Sequence, residues 1–142
     1  MKLDWIILAE GFGTSANGAV TAIGLNQQVI IAPTLPTTTK RGVLAHFSDS
    51  SDSLAGQELD VTIAVSDPDS QPLITQTAPA RMNAELQWPD LPKGLDIYLE
   101  IPLRLSKYGS YEISLSVKQP NTEPITGVVP FYVKMPPALS WS

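Results

Sequence analysis

The sequence contains no cysteine. This absence excludes disulfide bonds, thiol catalysis and zinc-thiolate centres together. With 142 residues, of which 43% are hydrophobic and 16% charged, the chain has the length and composition of one domain stabilised by its own hydrophobic core. A cysteine-free chain suits a reducing compartment, and we expect a cytoplasmic protein.

Basic residues are few and scattered. The chain has nine Lys and Arg residues against 14 Asp and Glu residues, which gives a formal net charge of -5, and Lys40-Arg41 is the one adjacent basic pair. Nucleic-acid-binding proteins concentrate positive charge on one face, and binding to anionic membranes needs the same concentration. Neither nucleic acid nor a membrane surface is therefore an expected partner.

Long hydrophobic runs are also missing. A membrane-spanning helix needs about 20 apolar residues in succession, and no run approaches that length. The N-terminal segment "MKLDWIILAEG" is interrupted by Asp4 and Glu10, whereas the core of a signal peptide is uncharged. We expect neither membrane insertion nor secretion.

Alternation of apolar and polar residues is the dominant pattern in the chain. It is clearest at 59–65 ("LDVTIAV"), 97–105 ("IYLEIPLRL") and 111–117 ("YEISLSV"), and it predicts strands with one buried and one solvated face. With turn signals between such runs and no convincing helical period, we predict an all-β domain of eight or nine strands. The predicted fold is a single antiparallel β-sandwich, immunoglobulin-like or jelly-roll-like, over 1–134 with a tail at 135–142; a closed barrel is the alternative.

The stretch "LSKYGSYEISLSV" at 105–117 resembles the tyrosine corner of immunoglobulin-like and fibronectin type III domains. Leu105, Gly109 and Tyr111 carry the resemblance. It implies that the Tyr111 ring lies in the core and that its hydroxyl bonds to the upstream backbone. The sequence departs from the antibody pattern at Ile113, where that pattern has cysteine, and at Lys107, where it has aspartate.

The order of several segments resembles a family of short bacterial β-sandwich proteins known only as a domain of unknown function. The segments are "MKLDWIILAEGF", "ANGAVTAIGL", "LDVTIAVSDPDSQPL" and the final pair "IPLRLSKYGSYEISLSV" and "FYVK". The resemblance implies a fold and a bacterial origin. It implies no activity and supplies no functional residues.

His46 is the only histidine, and it lies in the predicted strand 42–47. Catalysis and metal binding both need convergent partners, so we interpret His46 as a residue near a sheet surface or edge. We expect no catalytic residue, no metal and no cofactor. Two acidic pairs, Asp49 with Asp52 and Asp67 with Asp69, lie in predicted loops, where calcium binding stays open.

Aromatic residues make up 7% of the chain. Trp5 and Phe131 are predicted to lie in the core. Four others lie on outward stripes or in loops and are candidates for an interaction surface: Trp88, Tyr98, Tyr132 and Trp141.

The predicted function is that of a non-catalytic module, a protein-interaction or structural protein that self-associates or binds a partner protein. The alternative is a small-ligand or carbohydrate binder in which Trp88, Tyr98 and Tyr132 line a face or an end-loop groove. A hydrolase that uses the acidic loops is the weaker alternative, since paired carboxylates are the groups that glycoside hydrolysis needs.

Overall fold

The computed structural model describes residues 1–14, 16, 20–25, 28–49, 57–81, 93–119 and 123–138. These residues form nine strands, and none of them lies in a helix. The strands are β1 (Lys2–Thr14), β2 (Val20–Leu25), β3 (Val29–Ile31), β4 (Thr37–Asp49), β5 (Glu58–Ser66), β6 (Pro72–Arg81), β7 (Lys93–Leu105), β8 (Gly109–Lys118) and β9 (Ile125–Lys134).

The strands form two sheets that pack face to face around one hydrophobic core. The first sheet has the order β2-β1-β4-β7 and the second the order β3-β9-β8-β5-β6. Because the described strands leave two edges in each sheet, the fold is a sandwich and the closed-barrel alternative is wrong. The predicted all-β sandwich is confirmed, with nine strands.

The alternating stripes point inward as the sequence predicts. On β5 and β8 every second residue is buried, and the intervening residues are partly or fully exposed. Fully burying one such aliphatic side chain stabilises the fold by about 1.5–3 kcal/mol, so these stripes dominate the core. The buried residues on the two strands are Leu59, Val61, Ile63, Val65, Tyr111, Ile113, Leu115 and Val117.

Several strands are longer than the hydrophobic pattern predicts. β4 begins at Thr37 rather than at 42, and its residues 37–41 pair with 101–105 of β7 alone. β1 continues to Thr14, where 11–14 pair with β2. The added segments, TTTKR at 37–41 and GFGT at 11–14, contain almost no apolar side chains, so they lack the apolar-polar alternation by which the sequence marks a half-buried strand.

The pairing of β3 also differs from the expectation, because β3 runs parallel to β9 and every other pairing is antiparallel. Two flanking bonds extend this short pairing: Tyr132 N donates to Gln28 O at 2.7 Å, and Ala32 N donates to Lys134 O at 2.9 Å. A parallel partner needs a crossover connection, which three residues of apolar sequence do not reveal.

The junction between β7 and β8 is built around Tyr111. Its ring is 1% exposed and stacks on Phe131 with ring centroids 4.9 Å apart. Its hydroxyl donates to Lys107 O at 2.8 Å and accepts from Lys107 N at 3.2 Å, which ties the turn to the core. Gly109 has a φ of +132°, a conformation that favours glycine, so the turn leads directly into β8. Tyr108 is the more exposed of the two tyrosines, at 37%.

Candidate functional site

Four apolar side chains are exposed at or next to the pairing of β3 with the end of β9. The parallel register places Val29 opposite Tyr132 and Ile31 opposite Lys134, so their side chains share the outer face while Ile30 points into the core. The four residues, which we call the edge patch, are Val29 (50% exposed), Ile31 (52%), Tyr132 (36%) and Met135 (62%). Three of them lie on strands, so the scaffold holds this apolar surface in place.

The edge patch borders a free strand edge. Within the described residues, β3 has a partner on one side only, which is β9. Unpaired backbone N–H and C=O groups at such an edge are ready to bond with another strand. None of the four side chains carries a charge, and Lys134 is the charged residue that lies among them.

Trp5 lies on the outer face of the first sheet and not in the core, so the expectation for Trp5 was wrong. The cause is a register shift between Leu3 and Trp5: Leu3 pairs with Phe47, and Trp5 pairs with His46. The extra residue, Asp4, reverses the alternation, as a β-bulge does. Trp5 is consequently 44% exposed, whereas Phe131 is fully buried as expected.

His46 lies beside Trp5 on this outer face, between two carboxylates. Its Nδ1 is 2.5 Å from Asp96 Oδ1, and its Nε2 is 3.6 Å from Asp4 Oδ2. The Trp5 and His46 rings stack with centroids 5.9 Å apart. His46 is therefore a surface residue in the centre of its sheet, since β4 has neighbours on both sides.

The contacts of His46 are those of an anchored surface residue. A general base needs a ring nitrogen within reach of the proton that it removes, and here both nitrogens face carboxylates. Among the residues that the structure describes, no group of three His, Cys, Asp or Glu side chains is arranged to hold a metal ion. Sequence reasoning missed Asp4 and Asp96 as partners, because the bulge and the β4–β7 register bring them to His46.

Tyr98 lies on the same outer face, 43% exposed, with its ring edge-on to Phe12 at 5.6 Å between centroids. Tyr132 lies on the outer face of the other sheet. The structure therefore does not bring Tyr98 and Tyr132 into one groove. Trp88 and Trp141 lie outside the described residues.

The two carboxylates of the acidic turn after β5 both bind one lysine side chain. Lys107 Nζ lies 3.1 Å from Asp67 Oδ2 and 2.5 Å from Asp69 Oδ2, while Asp67 Oδ1 accepts from the backbone N–H groups of Gln71 and Asp69. The Gln71 hydrogen bond, followed by those from Lys107 and Asp69, holds the pKa of Asp67 below its ordinary value. The bonds to Asp69 and Asp67 raise the pKa of Lys107. These interactions make the turn a structural element.

The other acidic pair lies elsewhere. Asp49 ends β4, is 7% exposed and lies 3.4 Å from the N-terminal amine of Met1. Asp49 lies at the end of β4 that pairs with Lys93, whereas Asp67 binds Lys107, which follows the other end of β7, so Asp49 and Asp67 lie at opposite ends of the sandwich. Asp52 lies outside the described residues.

Comparisons with known proteins assign no family. No protein-family model matches the chain, and no curated protein matches it. A solved structure, the C-terminal domain of Wzt, aligns with a TM-score of 0.48 at 10% identity and covers 94% of this chain and 72% of that chain. In the described part of the chain there is no helix with the length and apolar character needed to cross a membrane. The resemblance to short bacterial β-sandwich proteins stays a prediction.

Proposed function

We propose that this protein is a non-catalytic β-sandwich module that self-associates through the edge patch. The observation that carries the proposal is the coincidence of exposed apolar side chains with a free strand edge at β3. Soluble monomers rarely leave a large contiguous apolar surface in water, and such surfaces mark interaction sites. One partner strand would bury the side chains of the edge patch and would also pair with the free backbone groups of β3.

A second copy of the chain is the partner that the surface fits best. Two-fold symmetric dimers are the commonest oligomers, and their interfaces require one patch that complements itself. A net charge of -5 makes copies repel at long range, but the edge patch contains no carboxylate, so two copies can approach there. Lys134 has a long side chain that can extend to the rim of such an interface.

The test is the molar mass measured by light scattering from micromolar to millimolar concentration. We expect the wild type to shift from monomer to dimer, and Tyr132→Glu to stay monomeric because it places a charge within the apolar contact. Tyr98→Glu is the matched control, since it makes the same change at a similarly exposed tyrosine on the opposite outer face. A wild type that stays monomeric at millimolar concentration would refute the proposal.

A carbohydrate platform on the outer face of the first sheet is the second candidate. The favouring observation is the exposed Trp5 indole beside carboxylates Asp4 and Asp96, which His46 holds in place. A planar ring covers the apolar face of a sugar, and ionised carboxylates accept hydrogen bonds from its hydroxyls. If this is the function, Trp5→Ala abolishes binding to an oligosaccharide panel while Tyr132→Glu preserves it. Failure of the wild type to bind the panel would exclude it.

A further inference from the structure

A cleft of about 420 Å³ is lined by residues of β4, β6 and β7, of which β6 and β7 are edge strands of the two sheets. Its apolar side is formed by Leu73 and Ile74 at the start of β6 and by Leu103 near the end of β7. Leu103 is buried, whereas Leu73 is 40% exposed. Pockets of about 300–1,000 Å³ with apolar linings are typical of small-molecule sites, and this cleft has that size.

The polar side of the cleft is rich in hydrogen-bond donors. Thr38, Thr39 and Arg104 line it, and Arg104 lies on the outward stripe of β7. Within the part of the chain that the structure describes, the Arg104 guanidinium makes no ion pair and no side-chain hydrogen bond. In a protein with 14 acidic residues and nine basic ones, a cation without a carboxylate partner at the mouth of a cleft is available for a ligand.

A second guanidinium contacts the cleft-lining residue Thr39. Arg41 Nη1 donates to Thr39 Oγ1 at 3.4 Å and to Lys40 O at 2.9 Å, and its Nε is buried without a partner. Because Thr39 Oγ1 accepts a bond from a cation, its own O–H is left to donate elsewhere, and Thr39 lines the cleft. The acidic turn at this end of the sandwich does not neutralise these arginines, since Asp67 and Asp69 bind Lys107.

We propose that this cleft binds a small organic acid, with its carboxylate on Arg104 and its apolar body against Leu73, Ile74 and Leu103. The planar guanidinium fork matches a carboxylate, and the threonine hydroxyls donate the remaining hydrogen bonds. This site lies on the side of β6 and β7, whereas the edge patch lies at β3, so it does not depend on self-association.

The experiment is a titration of the full chain followed by amide NMR, with hexanoate as the probe. Hexan-1-ol keeps the apolar body without the charge, and acetate keeps the charge without the apolar body. We expect hexanoate to shift the amides of Leu73, Thr39 and Arg104. It should bind about tenfold more tightly than hexan-1-ol, the change that loss of one charge-assisted bond produces. It should also bind more tightly than acetate, which has no apolar chain to bury.

Two variants test whether the positive charge of Arg104 is the one that binds hexanoate. Arg104→Gln is expected to weaken hexanoate binding about tenfold, because it removes the charge and the fork. Lys118→Gln removes one positive charge from an exposed site on β8 and should leave binding unchanged. Both variants are surface changes, and dispersed amide spectra will show that they remain folded.

A carboxylate on an apolar body also occurs at the end of a peptide chain. A second titration uses the peptide N-acetyl-Gly-Leu, either with a free C-terminal carboxylate or as the amide. Comparing its affinity with that of hexanoate distinguishes a chain terminus from a free organic acid as the ligand. Tighter binding of hexanoate than of the peptide assigns the site to free acids, and the reverse assigns it to a chain terminus. Equal binding of hexanoate and hexan-1-ol, unchanged affinity in Arg104→Gln, or no shifts around the cleft at millimolar hexanoate would overturn the proposal.

Discussion

The two outer faces of the sandwich differ in chemistry although the two inner faces are alike. Away from the edge patch, the outer face of the second sheet carries small polar side chains that pair across strands: the Thr62 and Thr77 hydroxyl oxygens lie 2.9 Å apart, and those of Ser116 and Thr126 lie 2.8 Å apart. The outer face of the first sheet carries Trp5, His46, Tyr98 and the carboxylates around them. Folding needs only that an outward residue tolerates water, so the edge patch and the aromatic face of the first sheet, rather than the hydroxyl pairs, indicate where binding functions should be sought.

The inner faces are expected to contribute equally to stability. Phe131→Ala in the second sheet and Leu103→Ala in the first remove large side chains that are 0% and 2% exposed. We expect each to lower the free energy of unfolding by about 2–5 kcal/mol through lost burial and the cavity left behind. Urea denaturation measures both, and a loss below 1 kcal/mol for either variant would show that its sheet is not part of a shared core.

The hydroxyl of the tyrosine corner should contribute less to the free energy of unfolding than either of these core side chains. Tyr111→Phe keeps the stacked ring and removes the hydroxyl that bonds to Lys107 O. We expect the free energy of unfolding to fall by about 1 kcal/mol, the usual net value of one hydrogen bond. Tyr98→Phe is the control on the first sheet's outer face, where the hydroxyl has no partner among the described residues. Equal effects of the two changes would contradict a structural role for the Tyr111 hydroxyl.

Acid should weaken the turn that faces this corner. Because the pKa of Asp67 is lowered in the folded state, its ionised form stabilises the fold above the ordinary value of 3.8, and this stabilisation is lost as the pH falls through the folded pKa. We therefore expect the Tm of the wild type to fall more steeply than that of Asp67→Asn as the pH is lowered below this value. Parallel Tm curves would show that the carboxylate does not contribute.

The hydroxyl pairs on the outer face of the second sheet should tolerate change best. Replacing Thr62 and Thr77 together by valine keeps the branched shape at both positions and removes both hydroxyls of an exposed pair. We expect the free energy of unfolding to change by less than about 0.5 kcal/mol, since neither side is left with an unpaired buried group. A large loss in urea denaturation would show that the hydroxyl pairs support the sheet.

Much of the fold could be predicted from the sequence because the inward stripes follow a strict period of two. The stripe on β8 from Tyr111 to Val117 is buried at every expected position. The parallel pairing of β3 could not be predicted, because three apolar residues carry no information on strand direction. The period of two predicted the wrong face for Trp5, because the bulge at Asp4 inserts one residue and so reverses the direction of every later side chain of that strand.

The candidate sites were harder to predict than the fold. The sequence placed Tyr132 on an outward stripe, but Val29 and Ile31 join it only through the β3–β9 register. Asp96 reaches His46 only through the β4–β7 register, 50 residues away in the chain. The sequence shows Arg104 pointing outward but not that it lacks a carboxylate, because pairing of charges is a tertiary property.

Amide hydrogen exchange at β3 tests the central claim, association through a free strand edge, most directly. We predict that protection of the Val29 and Ile31 amides, which face away from β9, rises with protein concentration, because partner strands cover this edge. The amides of β6, the other edge of the same sheet, should show no such dependence, since β6 lies on the opposite side. Concentration-independent exchange at β3, or equal changes at both edges, would contradict the account.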